Sequence, residues 1–254
     1  MVLDWSRISP DTVLGTLLRL PLRAIPKRMT VKVRSGVNRG MNWIVGSSIH
    51  GCWLGNYESE KQSVLQRYVK LGMTVFDIGA NAGFYTLAFS RMVGKEGRVC
   101  AFEPLAENAN NILRHMDLNE LRNVTLLQTA VADRNGVLEF SIAKNNAMGF
   151  ITGQAHGPYK VPAVSLDNLI DDGVVPAPDV IKMDVEGAES LVLRGARKFL
   201  NRKRATIFVA LHGDDQKRQC IEILRSSGYE IHLLNGQSVI TDEFAGDEIF
   251  ATPG

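Results

Sequence analysis

Asp77 closes a short apolar run, Val75-Phe76-Asp77-Ile78, and is followed by Gly79-Ala80-Asn81-Ala82-Gly83 and an apolar, aromatic stretch from Phe84. Gly79 and Gly83 let the backbone turn tightly and approach a ligand, since neither carries a Cβ. A helix opening at Phe84 aims unpaired amide groups at that ligand. A strand-tip carboxylate followed by Gly-x-Asn-x-Gly differs from the Gly-x-Gly-x-x-Gly of a nicotinamide site. A carboxylate suits a cationic cofactor better than a pyrophosphate, and S-adenosylmethionine, with ammonium and sulfonium charges, is such a cofactor. A second apolar run, Arg98-Val99-Cys100-Ala101-Phe102, ends in Glu103 about twenty residues past Gly83, where a ribose carboxylate is expected. There it can take hydrogen bonds from both ribose hydroxyls, and Pro104 suits the turn into the next helix. The plainer reading makes Asp77 a helix N-cap and Glu103 a solvated strand end; the ordered set favours the cofactor.

A second candidate centre is Lys182-Met183-Asp184-Val185-Glu186-Gly187-Ala188-Glu189, a strand tip with carboxylates and a glycine opening a helix. Asp184 is expected to face the cleft, and Glu189, in the first helical turn, to complement the helix dipole; Glu186 fits either role. His212 ends the next strand, and the chain order places it and Asp184 on neighbouring strands at one rim; the bland alternative is a hydrogen-bonded surface histidine. Asp133, after Ala130-Val131-Ala132, is placed either to meet an adenine amino group or to form the turn before Asn135-Gly136. No metal ligand is assigned, and metal dependence is left open. Asp184, Glu186 and Glu189 could hold a hard divalent cation, but their spacing matches no dedicated motif.

The elements that must hold these residues alternate. Strand, helix and strand recur from Val75 through the helix after Gly83, Val99, a helix over 106–117 and a strand over 124–131, then resume with a strand over 180–184, a helix over 188–200 and a strand over 206–211. That order predicts an α/β fold with a doubly wound, mostly parallel sheet. A helix over 216–227 and two closing strands, 229–234 and 248–252, predict an antiparallel pair at the sheet edge. Residues 137–164 interrupt the alternation with an extra strand over 138–142 and a polar flap whose His156 and Tyr159 could meet an acceptor. Ahead of the core, residues 30–48 read as a β-hairpin turning near 36–40, and residues 58–69 as a helix ended by Gly72. Residues 1–70 are thus expected to form a helix and hairpin extension on a catalytic domain of residues 71–254.

The 254 residues carry a net charge of only +2, with no basic stripe except near Lys198, Arg202, Lys203 and Arg204 at a helix end, so nucleic acid is not an expected partner. Cys52, Cys100 and Cys220 are odd in number and widely spaced, which suits reduced thiols in a cytoplasmic setting. No segment is expected to span a membrane. Residues 13–25 mix leucines with Arg19 and Arg23 around Pro21; packing on the domain is the expectation, with weak peripheral membrane contact as the alternative. The oligomeric state is left open.

Together, residues 75–85, Ala101-Phe102-Glu103-Pro104, Asn123-Val124-Thr125-Leu126, Ala130-Val131-Ala132-Asp133, Ser165-Leu166-Asp167 and Ile181 through Glu189 resemble the FkbM family of S-adenosylmethionine-dependent methyltransferases. The resemblance runs over about residues 55–212, and Gly55-Asn56-Tyr57-Glu58 looks like the family's Gly-x-Tyr-Glu element. It implies a class I methyltransferase (Rossmann-like) fold with a seven-stranded sheet, and O-methylation of a sugar or natural-product hydroxyl. It further implies Asp77, Gly79, Asn81, Gly83 and Glu103 at the cofactor, and Asp184 near the transferred methyl. One departure stands out: the family's fifth core strand commonly carries a carboxylate two residues before the histidine, and this chain has Ala210 there. If that carboxylate orients the histidine or the acceptor, this chain has either shifted its substrate or delegated the role to Asp184 or Glu186. Otherwise the chain is a cofactor-binding scaffold without transferase activity. Either His212 or Asp184 is the expected general base. A nicotinamide oxidoreductase is disfavoured by Asp77 and Asn81.

Overall fold

The computed structural model describes residues 25–142, 149–151, 159–241 and 244–254. The expected amphipathic segment over 13–25 lies outside them except for Ile25, as does His156. The chain begins with an antiparallel hairpin of β1 (Thr30–Lys32) and β2 (Asn42–Ile44), in which Thr30 faces Ile44. Helices α1 (His50–Leu54) and α2 (Ser59–Tyr68) follow.

The core then alternates as expected through β3 (Thr74–Ile78), α3 (Phe84–Val93), β4 (Arg98–Phe102), α4 (Ala106–Leu118) and β5 (Val124–Leu127). Next come β6 (Ala130–Val131), β7 (Gly136–Ile142), β8 (Gly149–Ile151), β9 (Tyr159–Val164) and α5 (Leu166–Asp171). The parallel pattern resumes with β10 (Val180–Met183), α6 (Glu189–Arg194), α7 (Arg197–Leu200), β11 (Thr206–Ala210), α8 (Asp214–Ser226), β12 (Tyr229–Leu233) and β13 (Glu248–Pro253).

Seven strands form the main sheet in the order β12-β13-β11-β10-β3-β4-β5. β11, β10, β3, β4 and β5 run parallel, and β13 runs antiparallel to both of its neighbours. Their near-continuous apolar runs suit strands covered on both faces. Phe76, Ile78, Ile181, Met183, Ile207 and Val209 enter the core on one face, and Val75, Val180 and Phe208 that on the other, as the strand period of two requires. The second core is closed by the hairpin. Trp43 is fully buried, stacks on His115 at 4.1 Å, and Ile44 N donates to His115 Nε2 at 3.0 Å. Burial lowers His115 to about 4, so its ring is neutral and free to accept that bond.

Four local differences from the expectation have physical causes. β12 and β13 do pair antiparallel, but β13 lies inside the sheet between β11 and β12, so only β12 is at the edge. Residues 124–131 form two strands, because β6 leaves the main sheet to pair with β9; Thr129 Oγ1 donates to Pro162 O at 2.9 Å at that turn. The interrupting segment builds a second sheet, β6-β9-β7-β8, with Tyr159 opening β9. The helix over 188–200 is split at Gly195, whose backbone passes Ala132 so closely that a Cβ would lie 1.9 Å from the Ala132 carbonyl oxygen.

Among the described residues no helix is long and apolar enough to cross a membrane. Cys52, Cys100 and Cys220 are buried and unpaired.

Candidate functional site

A cleft of about 430 Å³ opens at the carboxyl ends of the parallel strands, where open α/β sheets bind their ligands. Its floor is the turn after β3. Gly79 has φ +73°, and a Cβ there would lie 1.9 Å from the Asp184 carbonyl oxygen, so the turn packs flush against the chain leaving β10. Gly79 N and Ala80 N both donate to Phe102 O at 3.0 Å. Asn81 adopts φ 50°, its N donates to Glu103 Oε2 at 2.8 Å, and its Oδ1 accepts from Ala82 N at 2.6 Å.

Glu103 lines the cleft while only 4% exposed. Its Oε1 accepts from Leu105 N at 2.9 Å and from Asn108 Nδ2 at 3.3 Å. Burial pushes its carboxyl up to about 7 against the opposing pull of the Leu105, Asn81 and Asn108 donors. A carboxylate offers about four lone-pair sites, so with these three donors in place Glu103 retains capacity for a ligand hydroxyl.

Three residues expected at the cofactor lie elsewhere. Asp77 does not line the cleft; it is fully buried beneath it, pairs with Lys182 Nζ at 3.2 Å and accepts from Thr86 Oγ1 at 2.6 Å. The cause is sheet register: Asp77 and Lys182 are direct partners on β3 and β10, so their side chains leave the same face. Lys182 Nζ also donates to the Gly79 carbonyl at 3.1 Å, so the Asp77–Lys182 pair supports the turn from beneath. Burial works against the Lys182 charge, but Asp77, Asp184 and Glu58 overcome it and hold the ammonium above its usual range. Gly83 caps α3 at φ 89° and faces Ile112, not the cleft. Asp133 pairs with the exposed Arg134 at 3.4 Å, and Thr129, Ala130 and Val131 line the cleft in its place.

Asp184 and His212 do meet. His212 Nε2 lies 3.7 Å from Asp184 Oδ1 and 3.3 Å from Glu186 Oε2, while Nδ1 lies 2.7 Å from Glu189 Oε1. Glu189 is fully buried and also accepts from Gly187 N at 3.0 Å. Facing a carboxylate oxygen, Nδ1 carries the proton, so Nε2 is the nitrogen turned toward Asp184 and Glu186. Glu189 thus does for His212 what the absent carboxylate at position 210 was expected to do. The turn that brings the acids around the ring runs through Glu186 at φ 53° and Gly187 at φ 97°. Asp184, Glu186 and His212 each bring a donor atom within 4.8 Å of the others. A cation could be shared there, but at neutral pH the imidazolium itself supplies the positive charge.

The Glu189 hydrogen bond raises His212 to about 9, against the opposing effect of burial, with Glu186 and Asp184 adding to the rise. Because the folded value exceeds the ordinary 6.5, this contribution to stability is fully present below about 6.5 and is lost as pH rises through about 9. Glu189→Gln is expected to move the His212 midpoint down toward its ordinary value, as followed by NMR of the imidazole. An unmoved midpoint would show that Glu189 does not hold the ring's charge.

A further set of residues, given no role by their spacing, joins the N-terminal elements to the end of the sheet. Lys61 is buried, pairs with Glu58 at 2.7 Å and also pairs with Glu248. Tyr85 Oη donates to Glu58 Oε2 at 2.8 Å. Burial and the Glu58 charge hold the Tyr57 and Tyr85 hydroxyls well above their ordinary range, so both stay protonated. Glu58, Glu248, Tyr57 and Tyr85 all line the cleft.

The sequence of residues 77–231 matches the model of the methyltransferase FkbM domain. Among named relatives, the hexuronic acid methyltransferase AglP of Haloferax volcanii is 28% identical over 143 residues, covering 56% of this chain and 58% of that protein. The 2-O-methyltransferase NoeI of Sinorhizobium fredii is 27% identical over 161 residues, covering 56% of this chain and 64% of its own length. The chain therefore spans less than two thirds of either relative. A methyltransferase FkbM of solved structure from Methylobacillus flagellatus superposes with a TM-score of 0.51 at 19% identity, over 70% of this chain and 43% of that one, a likeness in fold. With the family's domain matched over more than half of its length, the chain belongs to the FkbM methyltransferase family.

Proposed function

We propose that the protein transfers a methyl group from S-adenosylmethionine to a hydroxyl of a sugar or natural-product acceptor. The observation that carries this reading is a cleft in which Glu103 stands on one side of the Gly79–Asn81 turn and Asp184 and His212 on the other, with the buried Glu189 behind the His212 ring. The cleft fits the cofactor's chemistry. Its lining is rich in carboxylates, as a net cationic ligand requires, and the Gly79 turn is seated flush against the chain leaving β10 because no Cβ projects from it. Bound there, S-adenosylmethionine would supply an electrophilic methyl on a sulfonium.

The chain's own residues supply position and proton transfer. Glu103 would accept the ribose hydroxyls, and Lys182, tied to Asp77, holds the turn beneath them through the Gly79 carbonyl. A sugar hydroxyl is a poor nucleophile, and a positioned base typically adds about 10²–10⁴-fold. His212 Nε2, once deprotonated, is that base; Glu189 keeps the ring aimed, and Asp184 and Glu186 stabilise the proton it receives. That Glu189 orients the ring answers the Ala210 departure and favours an enzyme over a non-catalytic scaffold. The buried thiols suit a cytoplasmic setting.

The sugar class draws support from the names of AglP and NoeI. The test is a panel of free and glycosidic hydroxyl acceptors incubated with protein and S-adenosylmethionine, read by mass spectrometry. The expected result is an acceptor gaining one methyl on oxygen together with stoichiometric S-adenosylhomocysteine. Methylation on nitrogen or carbon alone would contradict the reading.

A further inference from the structure

The charges at the acceptor end of the cleft are arranged in a way that selects a class of acceptor, an inference that rests on the function proposed above. The strand order sets the rim as Glu103 after β4, Gly79 after β3, Asp184 after β10, His212 after β11 and Glu248 opening β13. With Glu103 at the ribose, the acceptor end is the side of His212 and Glu248. There the lining carries Glu58, Asp184, Glu186, Asp247 and Glu248, and Tyr57 and Tyr85 add aromatic faces.

Every basic group near these acids is already committed. Lys182 pairs with Asp77 and donates to Gly79 O. Lys61, buried behind the wall, is clamped between Glu58 and Glu248. His212 is enclosed by Glu189, Glu186 and Asp184. Among the described cleft residues, therefore, none offers an uncommitted positive charge to an anionic substrate. Lys61 and the His212 imidazolium offset two of these five carboxylates, and the single net positive charge of S-adenosylmethionine does not balance the remaining three. A carboxylate or phosphate on the acceptor would enter a low-dielectric cleft against like charges, a juxtaposition that costs specificity and encounter rate alike. Hydroxyl and ammonium groups, in contrast, donate hydrogen bonds that carboxylates accept, and aromatic faces suit the apolar side of a sugar ring or an ammonium.

We propose that the acceptor is an uncharged or amine-bearing polyol, and that the Glu58, Asp247 and Glu248 rim excludes uronic acids and phosphorylated sugars. This sets the chain apart from its relative AglP, whose name specifies a hexuronic acid.

The test measures binding, so that it does not depend on turnover. Methyl glucoside, the corresponding 2-amino sugar and methyl glucuronide are titrated against the protein, with and without S-adenosylhomocysteine, by ligand-detected NMR at low and high salt. The expected result is that the glucuronide binds about tenfold or more weakly than the other two, with the gap shrinking as salt screens the rim. Asp247→Lys, at an exposed rim position, is expected to close most of that gap. Glucuronide binding equal to the neutral sugar, no binding by any of the three, or a gap indifferent to Asp247→Lys would overturn the proposal. Methyl transfer to the same three sugars, measured with S-adenosylmethionine in place of S-adenosylhomocysteine, separates it from the function above. The expected binding order without methylation contradicts the activity alone, whereas methylation of the glucuronide at the glucoside's rate contradicts this inference alone.

Discussion

Replacing His212 by Ala is expected to lower turnover by about 10²–10⁴-fold while S-adenosylmethionine affinity stays within a few-fold of wild type. The size follows from the role: among the described residues that line the cleft His212 is the only histidine, and Glu189 at 2.7 Å fixes the ring's direction. The pH profile provides a second signature. With His212 raised to about 9, only a minority of molecules carry the free base at neutral pH, so turnover is expected to climb as pH rises toward that value. Cofactor binding, which adds positive charge nearby, shifts the limb downward. Asp184→Asn removes one of the charges that hold the imidazolium, so it is expected to move the same limb down and to cost less than His212→Ala. If Asp184→Asn instead abolishes turnover while His212→Ala leaves it intact, the base is Asp184. Intact turnover in both variants removes the assignment altogether.

Glu103→Gln is expected to weaken S-adenosylmethionine binding by about tenfold to a hundredfold, the loss associated with charge-assisted hydrogen bonds of about 1.5–3 kcal/mol. The amide is not an innocent replacement. Oε1 of Glu103 accepts from Leu105 N and Asn108 Nδ2, and Oε2 accepts from Asn81 N, so an NH₂ at either position opposes a donor already in place. Because the carboxyl is pushed up to about 7 by burial, wild-type affinity is expected to strengthen as pH rises through 7, when the better acceptor forms. In Glu103→Gln that dependence should vanish. Calorimetric titration across this range checks both statements, and equal affinity with an unchanged pH profile would remove Glu103 from the ribose.

The alternation of core strands and helices was legible because runs such as Val75 to Ile78 and Val180 to Met183 are buried on both faces and end at polar tips. Glu103, Asp184 and His212 could be placed at the cleft for the same reason: a residue that ends a parallel strand lies at the ligand-binding rim whatever the details around it. Side-chain direction was not legible. Asp77 looks like a cofactor carboxylate until the register sets it opposite Lys182, a pairing between segments far apart in the chain. Glu189 looks like a helix-dipole residue until the left-handed turn at Glu186 and Gly187 folds it back beneath His212. The insertion of β13 between β11 and β12 has no local signal either, since strand neighbours are chosen by the whole sheet. The Lys61 clamp follows from that insertion, because only an interior β13 brings Glu248 to the cleft.

The most direct measurement is thermal unfolding of the purified protein alone and with excess S-adenosylmethionine, S-adenosylhomocysteine or NAD. Ligand at about 100 times its dissociation constant adds about 2.7 kcal/mol, which for a chain of this size raises Tm by about 5–10 °C. The predicted result is such a rise with both sulfur compounds and none with NAD. An unchanged Tm with both sulfur compounds, or a rise with NAD alone, would contradict the account at its centre.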